Sequence, residues 1–77
     1  MPADPQPDWV LTRRRAIGDR IRSARGAAGL TQERLGELVE ADRKTINRIE
    51  YATSDPPLSL LIRIADAIGV DLPDLMR

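Results

Sequence analysis

Two helix-start signals lie so close together in this 77-residue chain that the segments they open must turn sharply and pack on each other. Thr31 stands at the first, with Leu30 before it and Leu35 at the fourth helical position, the pattern of an N-cap with a hydrophobic staple. The helix it opens is expected over about 32–39, with Leu35, Leu38 and Val39 facing inward. Asp42 is the second cap, and a helix over about 43–51 follows it. About three residues join the two segments. So short a link forces a steep crossing and immediate contact. Gly36 takes all side-chain bulk off the first of these helices where the second must cross it. A helix-interior glycine costs about 1 kcal/mol relative to alanine, and close backbone approach between the two helices is the expected compensation.

Other signals place three more helices around this pair. Ile17, Ile21, Ala24 and Ala28 recur at steps of four, three and four, one face of a helix that Gly29 can close by taking a positive φ. Asp8 or Thr12 could cap its start. Residues 1–8, with Pro2, Pro5 and Pro7 and no periodicity, read as a disordered tail, so the folded domain is expected over 9–77. Residues 51–57 contain Thr, Ser, Asp and two prolines and read as a loop. Leu58, Leu61, Ile62, Ala65 and Ile68 then mark a fourth helix up to Gly69, and Asp71 with Pro73 opens a short fifth. With no alternating strand pattern anywhere, the fold class is all-α, a compact five-helix bundle.

Composition narrows the chemistry. The chain has no cysteine and no histidine, which excludes disulfides, thiolate nucleophiles, Cys/His zinc sites and histidine acid–base catalysis. The remaining Asp and Glu residues are scattered, with no phosphate-binding glycine loop, nucleophile elbow or metal-ligand cluster. An enzyme is therefore not expected, nor a cofactor or metal. The longest apolar runs, at 9–11 and 60–62, are three residues each. They are far too short to span a membrane, and the expected location is the cytoplasm, with the nucleoid. Net charge is zero but polarised: residues 9–48 carry ten Lys/Arg against five Asp/Glu, and residues 49–77 carry two against five.

The main chemical signal is the outer face of the helix that starts at Arg43. At about 100° per residue, Ile49 and Ile46 fall near 240° and 300°, while Arg43, Asn47, Tyr51, Lys44 and Arg48 fall between about 0° and 140°. One face is aliphatic. The other is a band of hydrogen-bonding side chains of the types that pair with base edges, Arg and Lys with guanine and Asn with adenine. An ordinary solvated helix face would also be polar, but it would not need the tightly joined helix ahead of it.

The segments GLTQERLGEL at 29–38, DRKTINRIE at 42–50 and PPLSLLIRIADAIGV at 56–70 together resemble the Cro/C1-type (XRE-family) helix-turn-helix domains, the lambda-repressor-like fold. The resemblance covers about residues 14–77. It implies a double-stranded DNA-binding transcriptional regulator, a repressor by expectation, whose helix beginning at Arg43 enters the major groove. Carried across, the pattern makes Arg43, Lys44 and Asn47 base readers and places Thr31 and Gln32 on a phosphate, with Thr45 and Arg48 at the DNA backbone. The free N–H groups and dipole of a helix N-terminus independently favour phosphate beside Thr31 and Gln32. The resemblance also implies an ion pair between Arg25 and Glu50. It departs from the family at Glu40, where a turn glycine is usual, and at Ala52, where a glycine usually follows the recognition helix.

Related domains dimerise near the end of the fold, which makes Val70, Leu72, Leu75 and Met76 candidates for a homodimer contact on a two-fold symmetric operator. Residues 9–11 form a second apolar cluster that could serve instead. The rival reading is a protein-interaction module, such as an antitoxin or transcription adaptor built on the same fold. The acidic second half favours that rival, whereas the Arg43, Lys44, Asn47 and Arg48 face favours DNA.

Overall fold

The computed structural model describes residues 7–77, and the part of the expected N-terminal tail at 1–6 lies outside them. Five helices follow in order: α1 Asp8–Ala27, α2 Gln32–Val39, α3 Arg43–Glu50, α4 Leu58–Ile68 and α5 Leu72–Met76. The expected all-α bundle is the observed fold. Its core is aliphatic, with Ile21 of α1, Leu35 of α2, Ile46 of α3 and Ile64 of α4 completely buried, closed at one end by Leu75 of α5.

Local chemistry sets most of the boundaries. The Thr31 hydroxyl accepts from the Arg34 N–H at 3.0 Å and the Asp42 carboxylate accepts from the Thr45 N–H at 2.7 Å, so both expected caps form. Each satisfies one of the four N–H groups that a helix start leaves without a partner. Gly29 takes a φ of +73° as it leaves the end of α1. At its other end α1 starts at Asp8, with Pro7 in the N-cap position and no side-chain cap. Neither Asp8 nor Thr12 fills that role. Asp71 does stand at the N-cap of α5, but its side chain makes no capping bond.

Helix faces differ from the sequence pattern at three places. Leu38 is 46% exposed, and the buried residues of α2 are Leu35, Gly36 and Val39. The inward arc is rotated toward Gly36, leaving Leu38 on the far edge, because Gly36 is pressed against the turn. Ile62 is 50% exposed and Leu58 is also outside, while Leu60 and Ile64 are buried. The arc of α4 thus runs from Leu60 through Ile64, Ile68 and Leu61 to Ala65. Ala28 is exposed, one residue past the end of α1.

The close approach expected at Gly36 exists, but against the turn and not against α3. A Cβ added there would lie 2.5 Å from the Ala41 carbonyl oxygen, and the Ala41 N–H already donates to the Gly36 carbonyl at 2.8 Å. A tighter crossing occurs at Gly18, which the sequence pattern does not mark. A Cβ on Gly18 would collide with the Glu50 carbonyl oxygen and lie 2.9 Å from that of Ile49. This glycine brings α1 against the C-terminal end of α3.

Both departures from the usual glycines are accommodated by left-handed backbone. Glu40 has φ +61° and Ala52 has φ +57°, so each keeps the turn and carries the steric cost of its Cβ.

Candidate nucleic-acid interface

Helix α3 is held from below and open above. Ile46 and Ile49 anchor it in the core. Arg43, Lys44, Asn47 and Arg48 are exposed together and line one shallow depression. Thr45 is half-buried at the helix start, its N–H taken by Asp42. Those hydrogen bonds to Thr45, assisted by the positive charges of Arg48 and Lys44, hold the Asp42 carboxyl below the usual carboxylate range.

At the other end of α3 the expected ion pair is present. Arg25 Nε donates to Glu50 Oε2 at 2.6 Å and Nη2 donates to Oε1 at 3.1 Å. The Glu50 side chain has no solvent exposure and that of Arg25 has 16%. Nη1 of Arg25 donates to the Leu30 carbonyl at 2.8 Å, tying the pair to the entry of α2. The hydrogen bond to Glu50 raises the Arg25 pKa above its ordinary value, outweighing the opposing effect of burial. A bidentate guanidinium–carboxylate pair of this kind is both strong and directional.

Gln32 is half-buried and does more than border α3. Its Nε2 donates to Glu50 Oε1 at 3.2 Å, and its Oε1 accepts from Asn47 Nδ2 at 3.4 Å. The structure therefore joins three of the expected site residues, Gln32, Asn47 and Glu50, in one hydrogen-bonded chain. Thr31 uses its hydroxyl oxygen as a cap and keeps its O–H free to donate.

Two further features carried no sequence signal. The Arg22 guanidinium lies 5.0 Å from the centroid of the Tyr51 ring, beside Arg15, Asp19 and Glu50, in a cleft where α1 meets the end of α3. Arg14 of α1 donates to the Ala52 carbonyl at 3.1 Å and pairs with Asp55 at 3.0 Å. This arginine braces the left-handed loop after α3 in the absence of a glycine. Both contacts join residues at least 29 positions apart, so no local spacing could reveal them.

Of the expected dimer residues, Met76 is exposed, Val70 and Leu72 are half-buried against the core, and Leu75 is inside it. Leu75 is thus a core residue and not a surface one, because the small bundle needs it to close one end. Trp9 is exposed while Val10 and Leu11 are half-buried. Among the described residues no helix is long and apolar enough to cross a membrane.

Two short helices joined by a three-residue turn, the second with an aliphatic inner face and a cationic outer one, define a helix-turn-helix. A family model described as a helix-turn-helix domain matches residues 16–77. The chain belongs to that helix-turn-helix family, with which the Cro/C1-type (XRE) resemblance is consistent. An uncharacterized HTH-type transcriptional regulator from Methanothermobacter thermautotrophicus is 47% identical over 49 residues, which cover 64% of this chain and 71% of that protein. The regulator RamB of Mycobacterium tuberculosis is 31% identical over 55 residues. That match covers 71% of this chain but only 12% of RamB, so the chain corresponds to a small part of that relative. Among solved structures, the restriction-modification controller protein C.AhdI of Aeromonas hydrophila superposes with a TM-score of 0.80 at 28% identity, covering 84% of this chain and 94% of its own. The hypothetical transcription factor NHTF from Neisseria gives a TM-score of 0.80 at 26% identity, covering 100% of this chain and 86% of its own.

Proposed function

We propose that this protein is a sequence-specific regulator that inserts α3 into the major groove of double-stranded DNA and represses transcription by occupying its operator. The observation that carries the reading is the exposed Arg43, Lys44, Asn47 and Arg48 face on a helix locked from behind by Ile46, Ile49 and the buried Arg25–Glu50 pair. Arg43, Lys44 and Asn47 read base edges. Thr31, Gln32, Thr45 and Arg48 hold the sugar-phosphate backbone, where the start of α2 favours an anion. The protein binds as a homodimer on a two-fold symmetric site, with Met76 and the exposed edges of Val70 and Leu72 at the contact and half-sites centred roughly 34 Å apart.

Selection of bound sequences from a random DNA pool tests this directly. The expected result is a two-fold symmetric consensus whose binding weakens steeply as salt rises. No enrichment, with salt-insensitive binding, would overturn the reading and favour a protein-interaction role. Tight binding to one half-site, unchanged when the other is scrambled, would overturn the dimer alone.

A further inference from the structure

The buried carboxylate of Glu50 dictates the direction of every hydrogen bond between it and the groove face. A carboxylate can only accept. Arg25 takes Oε2 and shares Oε1, and the remaining capacity of Oε1 faces Gln32. Gln32 must therefore point its Nε2 inward, since that is the only end of its amide that donates. Its Oε1 is then turned outward, and Asn47 meets it with Nδ2. The 3.4 Å distance is long for a hydrogen bond, so this last link orients Asn47 more than it binds it. An asparagine alone on a helix surface could present its amide either way round. Here the choice is made from inside the protein.

We propose that Gln32 is a positioning residue that sets the donor–acceptor polarity of Asn47, and so decides which orientation of an A·T pair Asn47 accepts. The inference rests on the reading of α3 as the recognition helix. With one Nδ2 hydrogen held by Gln32, Asn47 keeps a second N–H and the whole of Oδ1 for DNA. Adenine offers a matching acceptor at N7 and donor at N6 in the major groove. Across the groove edge the N6 donor of an A·T pair is flanked by two acceptors, adenine N7 and thymine O4. A freely flipping amide can use either flank, whereas one of fixed polarity can use only one. Gln32 thereby contributes to sequence preference without touching a base. Its second Nε2 hydrogen stays free for a phosphate, so the two roles are compatible.

The test compares wild type, Gln32→Ala, Gln32→Met, Asn47→Ala, Arg43→Ala and the Gln32→Ala/Asn47→Ala double variant on three duplexes at one salt concentration. These are the selected site, that site with the base pair read by Asn47 reversed, and a random duplex. The base pair is identified as the one whose preference Asn47→Ala erases. Both Gln32 variants should lower discrimination at that pair by about three- to tenfold, a fraction of what a full bidentate contact carries. Preference at the other base pairs should change less than about twofold, and Gln32→Ala should cost no further discrimination once Asn47 is already alanine. A purely structural loss would weaken every duplex alike, and Gln32→Met guards against an effect of lost packing. If both variants weaken all three duplexes equally, Gln32 is only a phosphate contact and the proposal falls. If Arg43→Ala erodes sequence preference but Asn47→Ala does not, this proposal fails while the reading of α3 stands. Should neither substitution affect preference, the reading of α3 fails and takes this proposal with it.

Discussion

Two glycines on one helix should respond to the same substitution with opposite signs. Gly18 is buried where α1 meets the last turn of α3, and an added Cβ would lie 2.8 Å from the Glu50 carbonyl carbon and 2.9 Å from the Ile49 carbonyl oxygen. Ordinary contacts begin near 3.5 Å, so α1 and α3 would have to separate by about half an ångström or more. The obstacle is backbone on both sides, which cannot rotate away as a side-chain tip could. Overpacking of this kind costs about 1–3 kcal/mol, against a helix-propensity gain of about 0.5–1 kcal/mol. Gly18→Ala should therefore destabilise by about 1–1.5 kcal/mol, a fall in Tm of roughly 5–10 °C for a domain of this size. Gly26 lies on the same helix with nothing within 4 Å of its would-be Cβ. Gly26→Ala should keep only the propensity gain and raise Tm by a few degrees, less than the full amount because it sits in the last turn of α1. Urea and thermal melts of the two variants side by side decide the matter. Equal stabilisation by both would show that the crossing at Gly18 is loose and that the reasoning from close approach is wrong.

The ion pair should obey the rule for buried charges, with Arg25→Ala or Glu50→Ala each costing about 3–5 kcal/mol and a paired apolar replacement costing much less than their sum. A double-mutant cycle by chemical denaturation reads this, and near-zero single effects would contradict it. Glu40→Gly should stabilise by about 0.5–1 kcal/mol, the left-handed strain removed less the added chain entropy. Ala52→Gly should gain less, because its buried methyl is lost as well. The lowered pKa of Asp42 means that its capping contribution is full above its unfolded value, about 3.9, and is lost as pH falls through the folded value. The stability difference between wild type and Asp42→Asn should thus be flat above about pH 5 and change only below about pH 4; a change confined to neutral pH would refute it. On DNA, alanine at Arg43, Lys44 or Asn47 should cost about 1–3 kcal/mol on the selected site and much less on random duplex. Arg48→Ala should flatten the salt slope by about one unit if that side chain holds a phosphate.

Several of these features could be read along the chain because their causes are local. The Thr31 and Asp42 caps each bind an N–H three residues on, so residue type and spacing suffice to place them. The three-residue turn and the alternation of Ile46 and Ile49 with polar neighbours make the helix pair and its outward face legible in the same way. The Arg25–Glu50 contact spans 25 positions and became visible only through the family resemblance, since no helical period links those two residues.

What the amino-acid sequence determined by itself, then, was the set of helices, where α2 and α3 begin, and which side of α3 carries cations, because each depends on interactions within one or two turns of chain. Tertiary structure decided how those helices were rotated and joined. It turned Leu38, Leu58 and Ile62 outward, although their spacing fits an inward face, because the buried arc of a helix is chosen by what packs on it. It drew Leu75 into the core. It made Gly18 costly to replace by setting the carbonyls of Ile49 and Glu50 against it, and it braced Ala52 with Arg14, 38 positions away. It also made Gln32, expected from the sequence only as a phosphate contact, the link between a buried carboxylate and Asn47. The direction of that link follows from a charge that has no solvent to face, and only the folded core creates that condition.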